Sequence, residues 1–180
     1  PPRVLVLTRR QQLEQEVANR PHDESNYLEL AELHLAERRT YEAQRTLIKA
    51  LEVCRDLKIV ERLEDVNMLR AREQVKLAEE RAGLENTPQV RDEVARLQEE
   101  SFRLELEIYR TRCDRYPEDK RLKFQLGLRL KQVGNFREAV EPLQALQGEK
   151  HRGKRRLQVV GDGGQQLGLH PLSRALDPAV

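Results

Sequence analysis

A pattern of glycines, glutamines and basic residues recurs after 34 residues in the C-terminal part of the chain. Five positions of residues 120–134 carry the same residue in 154–168. These pairs are Lys120/Lys154, Arg121/Arg155, Gly127/Gly161, Gln132/Gln166 and Gly134/Gly168. A period of this length, with a small residue inside each first helix, is typical of stacked helix–turn–helix units. The sequence therefore predicts an all-α chain in which helix pairs pack one against the next.

The composition also favours helices. Charged residues make up 36% of the 180 residues, and long runs are rich in Leu, Glu, Arg, Ala and Gln, which lose little side-chain freedom in a helix. No stretch reaches the roughly 18 apolar residues that span a bilayer, so we expect no membrane-spanning segment. A chain of this length can bury one continuous core, and we predict a single domain over residues 1–180.

The N-terminus and the cysteines say little about the compartment. Residues 1–10, PPRVLVLTRR, contain only a short apolar run and lack the form of a secretion signal. The chain starts with Pro1 rather than Met, so an upstream targeting segment stays an alternative to the cytoplasmic location that we favour. Cys54 and Cys113 lie in helical patterns far apart, and we expect two small, partly buried hydrophobic residues, with a disulfide as the minor alternative.

Apolar spacing and capping residues predict the helices. Thr8 can cap the first helix, Gly83 can close the fourth in a left-handed cap, and Thr87 followed by Pro88 starts the fifth. The predicted helices cover about 8–17, 24–37, 41–56, 59–82, 88–115, 119–132, 136–147 and 154–167, with a short one at 171–176.

The two longest helices, between residues 59 and 115, are joined by only a few residues. We therefore expect an antiparallel helical hairpin. The second of them carries apolar and small residues at alternating spacings of four and three, as in a coiled coil: Val90, Val94, Leu97, Ser101, Leu104 and Ile108. Because this seam lasts less than three heptads, a free-standing coiled coil is the weaker interpretation.

A repeat pattern covers two separate stretches of the chain. In the second, the pattern consists of Leu126, Gly127, Leu130, Gly134, Phe136, Glu138, Ala139 and Leu143, after Pro117. The first matches it at a constant offset of 96, with Pro21, Asp23, Leu30, Ala31, Glu42, Ala43 and Leu47. This pattern resembles the tetratricopeptide repeat family, in which large apolar residues stand where paired helices meet and small ones where they cross closely. The resemblance implies a right-handed helical solenoid of antiparallel helix pairs.

The offset of 96 is not a multiple of 34, because two periods account for 68 residues and leave 28. The long hairpin occupies that interval and is interpreted as an enlarged, divergent repeat. The predicted domain then divides into a first unit with its preceding helix at 8–56, the hairpin at 59–115, the best-matching unit at 117–150, and a divergent or capping unit at 151–180.

The resemblance implies a concave groove that binds a peptide or a partner protein. The family's groove positions correspond to Arg121, Phe124, Gln125, Leu128, Lys131 and Gln132, and to Ser25, Leu28, Glu29 and Glu32 in the first unit. Packing of Phe124 and Leu128 against a neighbouring helix is the alternative. Some relatives hold a peptide's C-terminal carboxylate with Lys and Asn, but those positions are Leu28 and Glu32 in this chain, so we do not expect that activity.

No motif for catalysis, metal binding or cofactor binding is evident. The four histidines form no metal-ligand spacing, and Gly161–Gly164 lacks the preceding strand and the following Lys-Ser/Thr of a phosphate loop. We expect a non-catalytic interaction scaffold without a cofactor, and self-association through the last unit is a further possibility. The alternative is association with nucleic acid or an acidic partner through a basic run of Lys150, Arg152, Lys154, Arg155 and Arg156, which has no interleaved aromatics.

Overall fold

Seven helices run through residues 7–144, the part of the chain that the computed structural model describes. They are α1 (Arg9–Asn19), α2 (Glu24–Ala36), α3 (Thr40–Cys54), α4 (Leu57–Glu85), α5 (Pro88–Arg115), α6 (Lys120–Gln132) and α7 (Phe136–Gln144). No strand occurs between residues 7 and 144. The predicted all-α class is confirmed there. The helices predicted at 154–167 and 171–176, and the second copy of the 34-residue pattern, lie outside the described residues.

Local side-chain caps explain where the helices start. Thr8 accepts a hydrogen bond from the Gln11 N–H at 3.4 Å, and the Gln11 side chain accepts one from the Thr8 N–H at 2.9 Å, which together form a capping box. Thr87 caps α5 with Pro88 as its first residue, and Asp119 caps α6. The predicted starts at Thr8 and Thr87 are confirmed.

The predicted end of α4 at Gly83 is wrong. The helix continues to Glu85, and Asn86 adopts the left-handed conformation with φ of +35°. Leu84 and Glu85 are good helix formers, and Asn is the residue that best tolerates this conformation after Gly. Asn86 also stands directly before the cap of the next helix, so ending at Asn86 leaves only Asn86 and Thr87 between α4 and α5.

The helices pack in chain order. Each of the first six contacts the next one, and α2 and α4 form the one additional pair within residues 7–144. Short connections make successive helices antiparallel, so α4 and α5 form the predicted hairpin. None of the described helices is both long and apolar enough to traverse a lipid bilayer.

Small residues allow close helix crossings. Ala31 and Ala43 are fully buried in α2 and α3. A Cβ added to Gly127 in α6 would lie 2.8 Å from Leu143 Cγ and 3.0 Å from the Leu143 backbone nitrogen of α7. The predicted small position at the crossing of α6 and α7 is therefore confirmed. Phe136, by contrast, is exposed, so the pattern's aromatic position contributes no buried contact between α6 and α7.

The main hydrophobic core lies in the first four helices. Its buried members are Leu13, Val17, Tyr27, Leu30, Ala31, Ala43, Leu47, Ala50, Ile59 and Val66. Cys54 packs at the edge of this core, and both Cys54 and Cys113 are free thiols with intermediate exposure, as expected. The second half of the described chain has fewer buried apolar side chains, so its packing depends more on polar contacts.

Candidate functional site

A cleft of about 350 Å³ lies between α4, α5 and α6, and we call it the central cleft. Helix α5 contacts both α4 and α6, whereas α4 and α6 do not contact each other, so α5 forms its floor. It is lined by Arg72, Val75, Lys76 and Glu79 of α4, Gln98, Ser101, Phe102 and Glu105 of α5, and Arg129 and Gln132 of α6.

A buried carboxylate joins the three helices in this cleft. The side chain of Glu105 is only 6% exposed. Its Oε1 accepts a hydrogen bond from Arg72 Nε at 2.5 Å, and its Oε2 accepts one from Arg129 Nε. The Arg129 guanidinium also lies over the Tyr109 ring, 5.3 Å from its centroid. Glu105 of α5 thus binds α4 through one arginine and α6 through the other.

Glu105 stays ionised despite its burial. Burial opposes the charged form, but the hydrogen bond from Arg72 and the charges of Arg129 and Arg72 outweigh it and lower the pKa of the carboxyl group. One negative charge therefore faces two guanidinium groups. The lining as a whole has a net charge of +1, because it contains three cationic and two anionic side chains: Arg72, Lys76 and Arg129, and Glu79 and Glu105.

The two arginines keep free hydrogen-bond donors. Arg72 and Arg129 each bind Glu105 through Nε, and their terminal nitrogens donate to no acceptor within residues 7–144. The side chain of Arg129 is 15% exposed and that of Arg72 is 52% exposed, so Arg129 is the more desolvated of the two. An arginine fork has five N–H donors and favours planar acceptors such as carboxylates.

A second arginine cluster at the base of the hairpin has its donors occupied. Arg112 Nε and Arg115 Nη2 each donate to Glu64 at 2.7 Å. Arg112 Nη2 also donates to the Glu61 carbonyl, and Arg115 Nη1 to the Glu61 carboxylate. Asp65 adds a third acid, 2.8 Å from Arg112. With three acids for two arginines, this cluster joins α4 to α5 and offers little to a ligand.

An apolar hollow of about 510 Å³ adjoins the central cleft. Both are lined by Gln98 and Phe102 of α5, so they form one continuous surface. The remaining lining of the hollow is Ala95, Glu99, Arg103, Leu106 and Val133. Phe102 and Val133 are both more than one third exposed. The combined surface therefore changes from cationic to apolar along α5.

One of the six groove residues predicted on α6, Gln132, lines the central cleft. Phe124, Gln125 and Leu128 are half-buried, and Arg121 and Lys131 are exposed. Their assignment to a partner stays a prediction, as does the alternative that Phe124 and Leu128 pack internally.

The groove residues predicted on α2 are engaged with the rest of the fold, apart from Ser25, which is exposed. Leu28 packs against the core, Glu29 accepts hydrogen bonds from Arg9, and Glu32 pairs with Arg62. The basic run from Lys150 to Arg156 lies outside the described residues, and the nucleic-acid hypothesis attached to it stays a prediction. Among residues 7–144, no three His, Cys, Asp or Glu side chains cluster closely enough to hold a metal ion.

Sequence reasoning missed Arg72, Glu105 and Arg129. One signal was present, because Glu105 falls between Ser101 and Ile108 at spacings of four and three, on the buried face of α5. A charged residue on an apolar stripe requires a partner. Its two partners lie 33 residues before it and 24 residues after it, and no local pattern identifies them.

Comparison with known proteins leaves the family of the chain open. No protein-family model and no curated protein matches it. Among solved structures, the chain is similar to a crystal structure of MamA, with 15% identical residues and a TM-score of 0.44. That similarity covers 81% of this chain and 89% of the MamA chain.

Proposed function

We propose that this chain is a non-catalytic protein-interaction module, an irregular tetratricopeptide-like solenoid that binds a peptide segment of a partner in the central cleft and the adjoining apolar hollow. The observation that carries the proposal is a concave surface on three helices, with free arginine donors next to exposed apolar side chains. Binding sites commonly combine an apolar lining with a few polar groups that fix orientation.

The position of the cleft supports a role in binding. Glu105 joins α5 to α4 and α6 from a buried position, while Phe102 and Arg72 are exposed at the surface of the cleft. An occupant would contact all three helices without any rearrangement of their packing. The resemblance to tetratricopeptide repeats, which bind peptides on helical surfaces, points to the same class of function.

Selection of random decapeptides displayed on phage against the immobilised 180-residue protein tests this function. We expect enriched peptides whose affinity falls at least tenfold on Phe102→Ala, because Phe102 lines both parts of the surface. Leu84→Ala is the matched control, since Leu84 is exposed on α4 and lines neither part. Circular dichroism would verify that both variants are folded.

Two outcomes would contradict the proposal. One is no enrichment over the bare support, and the other is undiminished binding to Phe102→Ala. A variant with Arg121, Phe124 and Lys131 all changed to Ala distinguishes the sites: loss of binding there, with Phe102→Ala unaffected, would assign the peptide to the family's groove positions instead.

A further inference from the structure

We propose that the partner peptide presents an aspartate or glutamate to Arg72 and Arg129, with an apolar side chain one or two positions away in the apolar hollow. This inference rests on the proposed function, since it names the chemistry of the peptide that the central cleft takes. It follows from the charge balance of the cleft, from its free donors and from the order of its lining along α5.

The charge balance favours an anion of unit charge. Glu105 neutralises one of the two arginines that bind it, and the lining as a whole keeps a net charge of +1. A charge in a partly desolvated position is costly without an opposite partner. One carboxylate would balance this excess, whereas a phosphate carries about −1.5 to −2 and would overcompensate it.

The free donors are also held in place before a ligand binds. Both guanidinium groups are fixed at Nε by the same buried residue, so their terminal nitrogens are held in place before a ligand arrives. Preorganised donors lose less entropy on binding. The arginines at the base of the hairpin provide the contrast, because Arg112 and Arg115 each donate to two groups of their own chain.

The apolar neighbour of the acidic residue is set by the spacing along α5. Phe102 and Leu106 stand three residues before and one after Glu105, which corresponds to about 5 Å or less along the helix axis. An extended peptide advances about 3.3 Å per residue. An apolar side chain one or two residues from the acid would therefore reach Phe102 and the hollow beyond it.

The test compares enriched peptides and their Asp→Asn or Glu→Gln analogues on three proteins: the unchanged chain, Arg72→Gln and the control Arg96→Gln. Arg72 is half exposed, and Glu105 keeps the hydrogen bond from Arg129 when Arg72 is replaced, so we expect a folded variant, which circular dichroism verifies. Arg96 is a similarly exposed arginine of α5 that pairs with Glu100. We expect the amide analogue to bind the unchanged protein and Arg96→Gln about tenfold more weakly than its acidic parent. Arg72→Gln should bind both peptides more weakly, and its preference for the acidic parent should fall well below tenfold because only Arg129 remains to bind the carboxylate.

The outcomes separate this inference from the proposed function. Two results would overturn the acidic partner while leaving peptide binding in place. One is enriched peptides without an acidic residue, and the other is an Arg72→Gln variant on which the amide analogue loses the same factor in affinity as its acidic parent. Preference for a phosphoserine analogue over the acidic parent would overturn the carboxylate in favour of a phosphate. Selection that yields no binder would overturn both proposals together.

Discussion

Two helical glycines have opposite surroundings, and their replacement should have opposite effects. A Cβ at Gly83 of α4 would have no neighbour within 4 Å, whereas one at Gly127 of α6 would overlap Leu143. Alanine favours a helix over glycine by about 1 kcal/mol. Gly83→Ala should therefore raise the free energy of unfolding by about 0.5–1 kcal/mol. Gly127→Ala should lower it by about 1–2 kcal/mol, because overpacking exceeds the helix gain. Urea denaturation of both variants measures the difference.

The closeness of Gly127 to both the side chain and the backbone of Leu143 provides the control. Leu143→Ala removes the Cγ contact at 2.8 Å but leaves the backbone nitrogen at 3.0 Å. In the Leu143→Ala background, Gly127→Ala should therefore lower the free energy of unfolding by less than it does in the unchanged chain, but it should still lower it. A Gly127→Ala protein as stable as the unchanged chain would show that α6 and α7 can separate without cost.

Helix starts can be predicted from the sequence where a capping residue acts on its own first turn. Thr8, Thr87 and Pro88 act within one turn, and the structure places the helix starts where they indicate. The predicted end of α4 was wrong because two nearby residues, Gly83 and Asn86, can both adopt the left-handed conformation that ends a helix. Gly83 adopts this conformation at little cost, but Asn86 lies next to the following cap and allows three more helical residues, 83 to 85.

The candidate site was beyond sequence reasoning because it depends on the register between helices. Arg72 and Arg129 look like ordinary solvated cations in their own helices. They become a site only because α4 and α6 flank the same turn of α5, where Glu105 is buried. No spacing rule within one helix specifies which residue of the next helix lies opposite. Of the groove positions that the family pattern gives on α6, Gln132 is the one that also lines the central cleft.

The base of the hairpin should make stability dependent on pH. Glu64 is 15% exposed, and although burial opposes its ionisation, the hydrogen bonds and charges of Arg115 and Arg112 lower its pKa. A carboxyl group whose pKa is lower in the folded state stabilises the fold above its unfolded pKa of about 4.3. That stability is lost as the pH falls through the folded pKa. Glu64→Gln should therefore cost about 2 kcal/mol at pH 7 and much less at pH 3.

Urea midpoints of the unchanged protein and Glu64→Gln, measured from pH 7 to pH 3, test this dependence. Glu99→Gln is the matched control, since Glu99 pairs with Arg103 at 2.7 Å but both side chains are more than 70% exposed. Exposed pairs contribute about 0–1 kcal/mol, so this control should shift the midpoint little at any pH. A constant gap between Glu64→Gln and the unchanged protein across the range would exclude the titration of Glu64 as its cause.

The free energy that holds each helix in place should differ along the chain. The described helices contact mainly their neighbours in sequence, and the hydrophobic core is concentrated in α1 to α4. In an array of this kind, stability is approximately a sum of local and nearest-neighbour contributions. The central cleft lies at the boundary, because α4 belongs to the core while α6 is held largely through α5 and α7. A ligand there would join the well-packed half to the weaker one.

Amide hydrogen exchange should reveal this division. Leu47 of α3 is fully buried in the core, so Leu47→Ala should cost about 2–5 kcal/mol. We expect faster exchange in α1 to α4, where the lost contacts lie. Exchange in α6 and α7 should be nearly unchanged, because their smaller number of buried apolar side chains should let them open with a smaller free energy in both proteins. Leu130→Ala, at a buried position of α6, is the reciprocal variant and should accelerate exchange in α6 and α7 while α2 and α3 keep their protection.

Equal acceleration of all seven helices by either variant would instead make residues 7–144 a single cooperative unit. The central cleft would then lie within that unit rather than at a boundary, and its occupant would stabilise every helix alike.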